Sequence, residues 1–382
     1  MNISRPALIF GLSYALDIAG KNNLSHSKST AYLAVSLARE LELEENTALA
    51  IYYAALLHDI GISNEYVLYE HCLIGKEMLE KLPLPADLPL MVLYHHELYD
   101  GSGPHHLAGE DIPLGAQIIA LSSAFDDRYG RVATFDFARF TDISAWLDGN
   151  HARYSPRLIE RFKQLVKRES FLLDYFNHET KYLLADKVAI ADTVTYQYEE
   201  VQKYALCFAD IIDRRSPFTY THSRGIADLA RRAAIYLGYD EYQQNNMYLA
   251  GLLHDIGKLH VSTEILHKNG RLTPEERFEI NKHTYYTRKI LEQIAGFEPL
   301  IDIAANHHEK MDGTGYPNRT PGHCLSEPER IMAICDVYQA LTEERPYREP
   351  LPAAKVWSII DEMAGSGHLD PQMVNKAKEI FI

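Results

Sequence analysis

Apolar residues recur along this chain at steps of three and four positions, which is the spacing of one face of a helix. The clearest stretch contains Ile226, Leu229, Ala230, Ala233, Ala234 and Leu237. No stretch alternates apolar and polar residues convincingly enough to predict a strand. The pattern therefore predicts an all-α protein, and a length of 382 residues leaves room for two helical bundles.

The two halves of the sequence resemble each other. The segment Ala54–Gly61 reads AALLHDIG and recurs at Ala250–Gly257 as AGLLHDIG. A His-Ser pair precedes the motif histidine by 32 residues in both copies, at His26 and at His222. A shared motif at a shared spacing indicates an internal repeat rather than chance similarity.

The repeat continues downstream and sets the predicted domain boundaries. His71 precedes His95-His96 by 24 residues, and His283 precedes His307-His308 by the same 24. Both copies later open a helix with a residue followed by proline, Ser155-Pro156 and Asp370-Pro371. We predict two tandem bundles, residues 1–167 and 197–382, joined by a connecting helix over residues 168–196.

The second copy carries an insert that the first lacks. His58 and His71 are 13 residues apart, whereas His254 and His283 are 29 apart, so the insert is the 16 residues 262–277. Asn269-Gly270 predicts a turn. Thr273 and Glu276, three residues apart and followed by helical periodicity, predict a capping box at a helix start.

Composition limits the partners. A formal charge of −15 opposes non-specific binding to polynucleotides or anionic membranes. Four cysteines without a C-x-x-C pair suit a reducing compartment. Apolar runs stay shorter than the roughly 18 residues of a membrane span. We therefore expect a cytoplasmic protein.

Seven polar side chains of the second copy stand mostly within apolar stretches, where a single histidine is more often an ordinary core residue. They are His222, His254, Asp255, His283, His307, His308 and Asp336. Burying all seven without compensation is costly, and divalent cations provide that compensation. Adjacent pairs on a helix project about 100° apart, so neighbours can face two ions. Nitrogen and oxygen ligands suit iron, manganese, zinc or nickel alike.

The second copy resembles the HD-GYP family of the HD phosphohydrolase superfamily. The resemblance rests on His254-Asp255-Ile256-Gly257-Lys258, on the run HHEKMDGTGYP from His307 to Pro317, and on the segment from Asp336 to Arg348. It implies two tandem HD-type helical bundles and hydrolysis of a cyclic dinucleotide to a linear one. It also implies a centre of two divalent transition-metal ions, with iron or manganese favoured over zinc or nickel.

The resemblance assigns roles to individual residues. The seven polar residues fall on the family's metal ligands, and Lys258 and Asp255 are the implied catalytic residues. The implied substrate-binding residues are Asp312, Gly315, Tyr316, Pro317, Gln339, Arg345 and Arg348.

Some positions depart from the family. Phe218 stands where some members have a glutamate for a third metal, so two ions are expected. Ser216 and Gln339 stand where a guanine-binding member has aspartates. Glutamine offers both a donor and an acceptor, as adenine prefers. Cyclic di-GMP and 3′,3′-cyclic GMP-AMP therefore both remain candidate substrates.

The first copy lacks catalytic groups, since Ile62 replaces the lysine and Ser123 the last carboxylate. We expect residues 1–167 to be a pseudo-enzyme that senses, dimerises or binds a signalling partner. Two alternatives to the phosphodiesterase stay open. One is a cyclic dinucleotide-binding module without hydrolysis, and the other is an HD nucleotide phosphohydrolase with a different substrate.

Overall fold

A computed structural model describes residues 1–20, 25–62, 69–130, 136–177, 192–215, 222–268, 270–343 and 349–381. Helices dominate these ranges, and the strands described there are two short ones, Ile3–Ser4 and Thr195–Tyr196. The predicted all-α class is confirmed. Within the described part of the chain, every helix is too short or too polar to span a bilayer.

The chain divides into two compact units. One consists of Leu12–Val194, and the other joins Met1–Gly11 to Thr195–Ile382. Ile3 pairs with Tyr196 and Ser4 with Thr195 in an antiparallel ladder. Backbone hydrogen bonds between such distant segments leave no local pattern in a sequence, so the predicted boundaries placed residues 1–11 with the other domain.

Helix Arg5–Ala19 crosses the division at Leu12, and the remaining helices of the first unit follow in order. They are His26–Glu40, Glu45–Leu57, Glu70–Leu79, Leu88–Leu93, Leu114–Tyr129, Phe137–Gly149, Pro156–Val166 and Glu169–Phe176, with a 3₁₀ turn at Gly109–Asp111. The predicted connecting helix starts as helix Glu169–Phe176, but residues 178–191 lie outside the described residues. A single continuous helix over residues 168–196 is nevertheless wrong, because Asn177 is extended at the end of helix Glu169–Phe176 and Thr195–Tyr196 forms a strand.

The second unit follows the same order. Its helices are Tyr198–Arg215, His222–Tyr236, Glu241–Leu253, Thr263–Leu266, Pro274–Leu291, Glu298–Ala305, Glu327–Thr342, Ala353–Gly365 and Pro371–Ile380. Two 3₁₀ turns lie at Ile256–His260 and Gly322–Cys324. The apolar face predicted from residue 226 onward is buried in helix His222–Tyr236, except for Leu237, which follows the helix end and is half-buried.

The insert starts a helix where the sequence indicated. Thr273 Oγ1 accepts a hydrogen bond from the Glu276 backbone N–H at 3.2 Å, and Glu276 Oε2 accepts one from Thr273 N–H at 2.7 Å. This capping box begins the helix Pro274–Leu291, which carries His283. Of the predicted turn, Asn269 lies outside the described residues.

Candidate metal centre

The two adjacent pairs, His254-Asp255 and His307-His308, lie at helix ends rather than within helices. Helix Glu241–Leu253 ends immediately before His254, and helix Glu298–Ala305 ends two residues before His307. The expected 100° offset along a helix was therefore the wrong geometry. In turns, the backbone directs each side chain separately, and both pairs are thereby brought to one place.

Three buried histidines are oriented by the same local hydrogen bond. Nδ1 of His254, His283 and His307 lies 2.7–2.8 Å from the carbonyl oxygen three residues earlier. A carbonyl only accepts, so each Nδ1 must carry the proton. Each Nε2 is consequently a free lone pair, the form in which imidazole binds a metal.

These lone pairs converge. Nε2 of His283 and Nε2 of His307 are 3.3 Å apart, with no proton available between them. Burial is the main cause of the low pKa of both rings, which reaches about 3 for His283, so protonation does not relieve the repulsion. A cation bound by both nitrogens would relieve this repulsion.

Asp255 lies at the middle of the cluster and is 3% exposed. Its Oδ2 accepts a hydrogen bond from Lys258 Nζ at 2.5 Å and lies 3.2 Å from His254 Nε2. Its Oδ1 is 3.4 Å from His283 Nε2. Burial alone would raise its pKa, but His254 and Lys258 together hold the pKa well below its usual range. The carboxylate is ionised and faces both groups of histidines.

His222 and Asp336 complete the cluster from two further helices. His222 Nε2 lies 3.7 Å from Asp336 Oδ1, and Nδ1 donates to Glu343 Oε2 at 3.0 Å. Burial lowers the pKa of His222, but the nearby carboxylates of Asp336 and Glu343 outweigh it and raise the pKa to about 9. Glu343 was not recognised from the sequence. It orients His222 as carboxylates orient metal-binding histidines.

Thr287 and Gly257 hold the His254-Asp255 turn against the helix that carries His283. Thr287 Oγ1 donates to the His254 carbonyl at 2.8 Å and accepts from Gly257 N–H at 3.0 Å. A β-carbon at Gly257 would lie 1.9 Å from the His283 carbonyl oxygen. The glycine of the HD motif is therefore required by close backbone contact. Thr287 gave no signal in the sequence.

The loop after His308 is fixed by Glu309, which is 3% exposed. Its two oxygens accept hydrogen bonds from the backbone N–H groups of Asn318 at 2.7 Å and Thr320 at 2.9 Å. The Tyr316 ring stands 4.8 Å from the His308 ring, so the loop lies beside the cluster. Glu309 belongs to the recognised run, but its part in shaping the loop required the structure.

The expected substrate-binding residues are placed unevenly. Tyr316 lies beside the histidines, and both it and the following Pro317 are partly exposed. Gly315 packs so closely that an added β-carbon would lie 2.5 Å from Lys310 N. Asp312 is exposed, and its Oδ1 accepts hydrogen bonds from the N–H and hydroxyl groups of Thr314. Tyr316 is thus better positioned for a ligand than Gly315 and Asp312.

Gln339 packs directly on Gly225, where a β-carbon would lie 2.4 Å from Gln339 Nε2. Gly225 therefore provides the space for this amide. The remaining expected contacts, Arg345 and Arg348, lie outside the described residues, as do Ser216 and Phe218.

The residues present fit metal ions. Two groups have ligand atoms close enough to share one ion each, His283 with His307 and His308, and His222 with His254 and Asp255. His254 Nε2 and Asp255 Oδ1 are buried without a hydrogen-bond partner among the described residues. Buried polar atoms rarely stay unsatisfied, so both are explained by ligation.

Comparisons with known proteins agree with this arrangement. The HD domain family matches residues 15–134 and 207–373, which is most of the chain and both copies of the repeat. The chain therefore belongs to the HD domain family, and the recognition made from its motifs is confirmed.

Its relatives include characterised enzymes. The chain is 30% identical to 3′3′-cGAMP-specific phosphodiesterase 1 of Vibrio cholerae, over 97% of this chain and 90% of that protein. It is 30% identical to a cyclic di-GMP phosphodiesterase of Thermotoga maritima, over 50% of this chain and 54% of that protein. The crystal structure of a cyclic GMP-AMP-specific phosphodiesterase of V. cholerae matches with a TM-score of 0.73 at 24% identity, over 100% of this chain and 98% of that one. The last likeness supports the fold.

Proposed function

We propose that the second unit is a metal-dependent phosphodiesterase that hydrolyses 3′,3′-cyclic GMP-AMP to a linear dinucleotide. The observation that carries the proposal is the buried convergence of His283 Nε2, His307 Nε2 and Asp255, with Lys258 at its edge. Five imidazoles and two carboxylates would hold two divalent ions, with iron or manganese favoured. Ions there would polarise a phosphoryl oxygen and lower the pKa of water.

The chain's own residues would position the substrate. Lys258 is a quarter exposed and hydrogen-bonded to Asp255, so its ammonium reaches both the cluster and the solvent side. There it would neutralise charge on the phosphate that is cleaved. The Tyr316 phenol stays neutral, because burial raises its pKa far above the usual value. A neutral ring beside His308 suits contact with a base or ribose. Arg345 and Arg348 would add phosphate contacts.

Two observations favour the mixed dinucleotide. The full-length relative is named for 3′3′-cGAMP. Gln339 presents an amide, which can pair with the donor and acceptor of adenine, and Gly225 leaves room for it. Cyclic di-GMP is the competing substrate, supported by relatives that match over about half of the chain, such as the T. maritima enzyme.

The repeat provides a matched test. Asp336→Ala removes a carboxylate from the cluster, whereas Ser123→Ala changes the same repeat position in the first unit. The purified full-length chain should hydrolyse 3′,3′-cyclic GMP-AMP faster than cyclic di-GMP or cyclic di-AMP. Asp336→Ala should abolish turnover, and Ser123→Ala should retain it. Binding without any hydrolysis by the metal-loaded wild type would instead support the binding-module alternative.

Turnover that survives Asp336→Ala would refute the assigned site. A preference for a nucleoside triphosphate or a guanosine polyphosphate would refute the substrate class. Metal content compared between wild type and Asp336→Ala tests the site, since only ions of the second unit should be lost in the variant. Far-UV circular dichroism verifies that both variants keep their helices.

A further inference from the structure

The first unit contains a histidine cluster that the proposed reaction does not use. Ligand atoms of His71, Cys72, His95 and His96 all lie within 4.8 Å of one another. Ile62 and Ser123 replace the lysine and the carboxylate of the other copy, so hydrolysis gives no reason for the cluster to exist. The ligand-type side chains are nevertheless present and mostly buried.

As in the other copy, two ring nitrogens of this cluster lie close together without a proton between them. His95 Nδ1 donates to the Val92 carbonyl at 2.7 Å, so Nε2 of His95 has no proton. That Nε2 lies 3.5 Å from His71 Nε2. Asp59 Oδ1 is 3.7 Å from the same His71 nitrogen and supplies negative charge.

The surrounding scaffold is kept as well. A β-carbon at Gly61 would lie 2.1 Å from the His71 carbonyl oxygen, the close contact made by Gly257 in the other copy. Glu97 accepts hydrogen bonds from the backbone of His105 at 2.7 Å and Leu107 at 2.9 Å, as Glu309 does for its loop. The first unit therefore keeps the backbone contacts that orient metal ligands, although it lacks the lysine and the last carboxylate.

Cys72 makes this cluster chemically different. It is fully buried, and its Sγ lies 3.6 Å from His71 Nε2. The matching position in the other copy is Thr284. Tetrahedral zinc, with bonds of about 2.0–2.1 Å to nitrogen and 2.3 Å to sulfur, separates neighbouring donors by about 3.3–3.6 Å. Two distances match those separations, the 3.5 Å between His71 Nε2 and His95 Nε2 and the 3.6 Å between Cys72 Sγ and His71 Nε2.

We propose that the first unit binds one zinc-like ion through His71, Cys72, His95 and His96, at a site that does not take part in hydrolysis. A thiolate with imidazoles selects zinc or cobalt over harder cations. On binding, the thiol releases its proton to solvent and Sγ bonds to the metal. The site would stabilise the unit, as structural zinc does in small domains.

Cobalt tests the proposal because a cobalt–thiolate bond gives a near-ultraviolet charge-transfer band. The metal-stripped full-length chain is titrated with Co²⁺. The wild type should show the band, Cys72→Ser should lose it, and His96→Gln should bind one equivalent less. Cys335→Ser is the matched control, since Cys335 is buried beside Asp336 in the other unit, and it should keep the band.

Absence of the band from the wild type at saturating Co²⁺ would overturn the proposal, whatever the variants do. Loss of the band in Cys335→Ser but not in Cys72→Ser would also overturn it. A second readout is the thermal midpoint of the first unit, which zinc should raise in the wild type and not in Cys72→Ser. Neither measurement depends on phosphodiesterase activity, so this site and the proposed function fail separately.

Discussion

Thr287 offers the sharpest test of how the second unit holds its cluster. Its hydroxyl bridges the His254 carbonyl and the Gly257 N–H, and the residue is fully buried. Thr287→Val keeps the shape but leaves both backbone groups unpaired. A buried group left unsatisfied costs about 1–3 kcal/mol, so the two groups together should cost about 2–6 kcal/mol. Thr287→Ser keeps the hydroxyl and should cost much less.

Hydrogen exchange measured by mass spectrometry resolves this locally, which matters in a chain with two units. Since about 1.4 kcal/mol corresponds to a tenfold change, peptides around Gly257 should exchange about 30- to 20,000-fold faster in Thr287→Val. The valine variant should also retain less metal. Wild-type exchange and metal content in Thr287→Val would show that the bridge does not hold the turn.

Three further predictions concern affinity, specificity and pH. Glu343→Gln removes the charge that orients His222 and should weaken metal binding about 10- to 100-fold in chelator competition, unlike an exposed control such as Glu349→Gln. Gly225→Ala should displace Gln339 and change the ratio of kcat/KM for 3′,3′-cyclic GMP-AMP over cyclic di-GMP by a factor equivalent to about 1–3 kcal/mol. An unchanged ratio would contradict a role of Gln339 in base recognition. Burial raises the pKa of Asp17 to about 6, above the unfolded value of 3.8, so its contribution to stability is present below pH 3.8 and is lost as the pH rises through about 6. The unfolding free energy of Asp17→Asn should therefore rise by about 3 kcal/mol relative to wild type between about pH 4 and pH 7. If urea denaturation gave the same difference in unfolding free energy at every pH, this prediction would be refuted.

Local sequence determined much of this protein. Helical periodicity and the capping box at Thr273 predicted elements whose stability depends on neighbouring residues, and the structure contains them. The repeat located both clusters, because equal spacing in a shared fold brings equivalent residues together. Ser123 occupies the repeat position of Asp336. Its Oγ lies 3.4 Å from His26 Nε2, just as Asp336 Oδ1 lies 3.7 Å from His222 Nε2.

Tertiary structure decided what depends on contacts between distant segments. The pairing of Ile3–Ser4 with Thr195–Tyr196, the Glu343–His222 hydrogen bond and the Thr287 bridge join residues that no local pattern relates. The contact of Gln339 with Gly225 is of the same kind, although Gln339 alone had been singled out from the sequence. The sequence determined which ligand-type residues the chain carries. Only the packing of helix ends determined where their lone pairs meet, because a turn directs each side chain through backbone angles that periodicity does not encode.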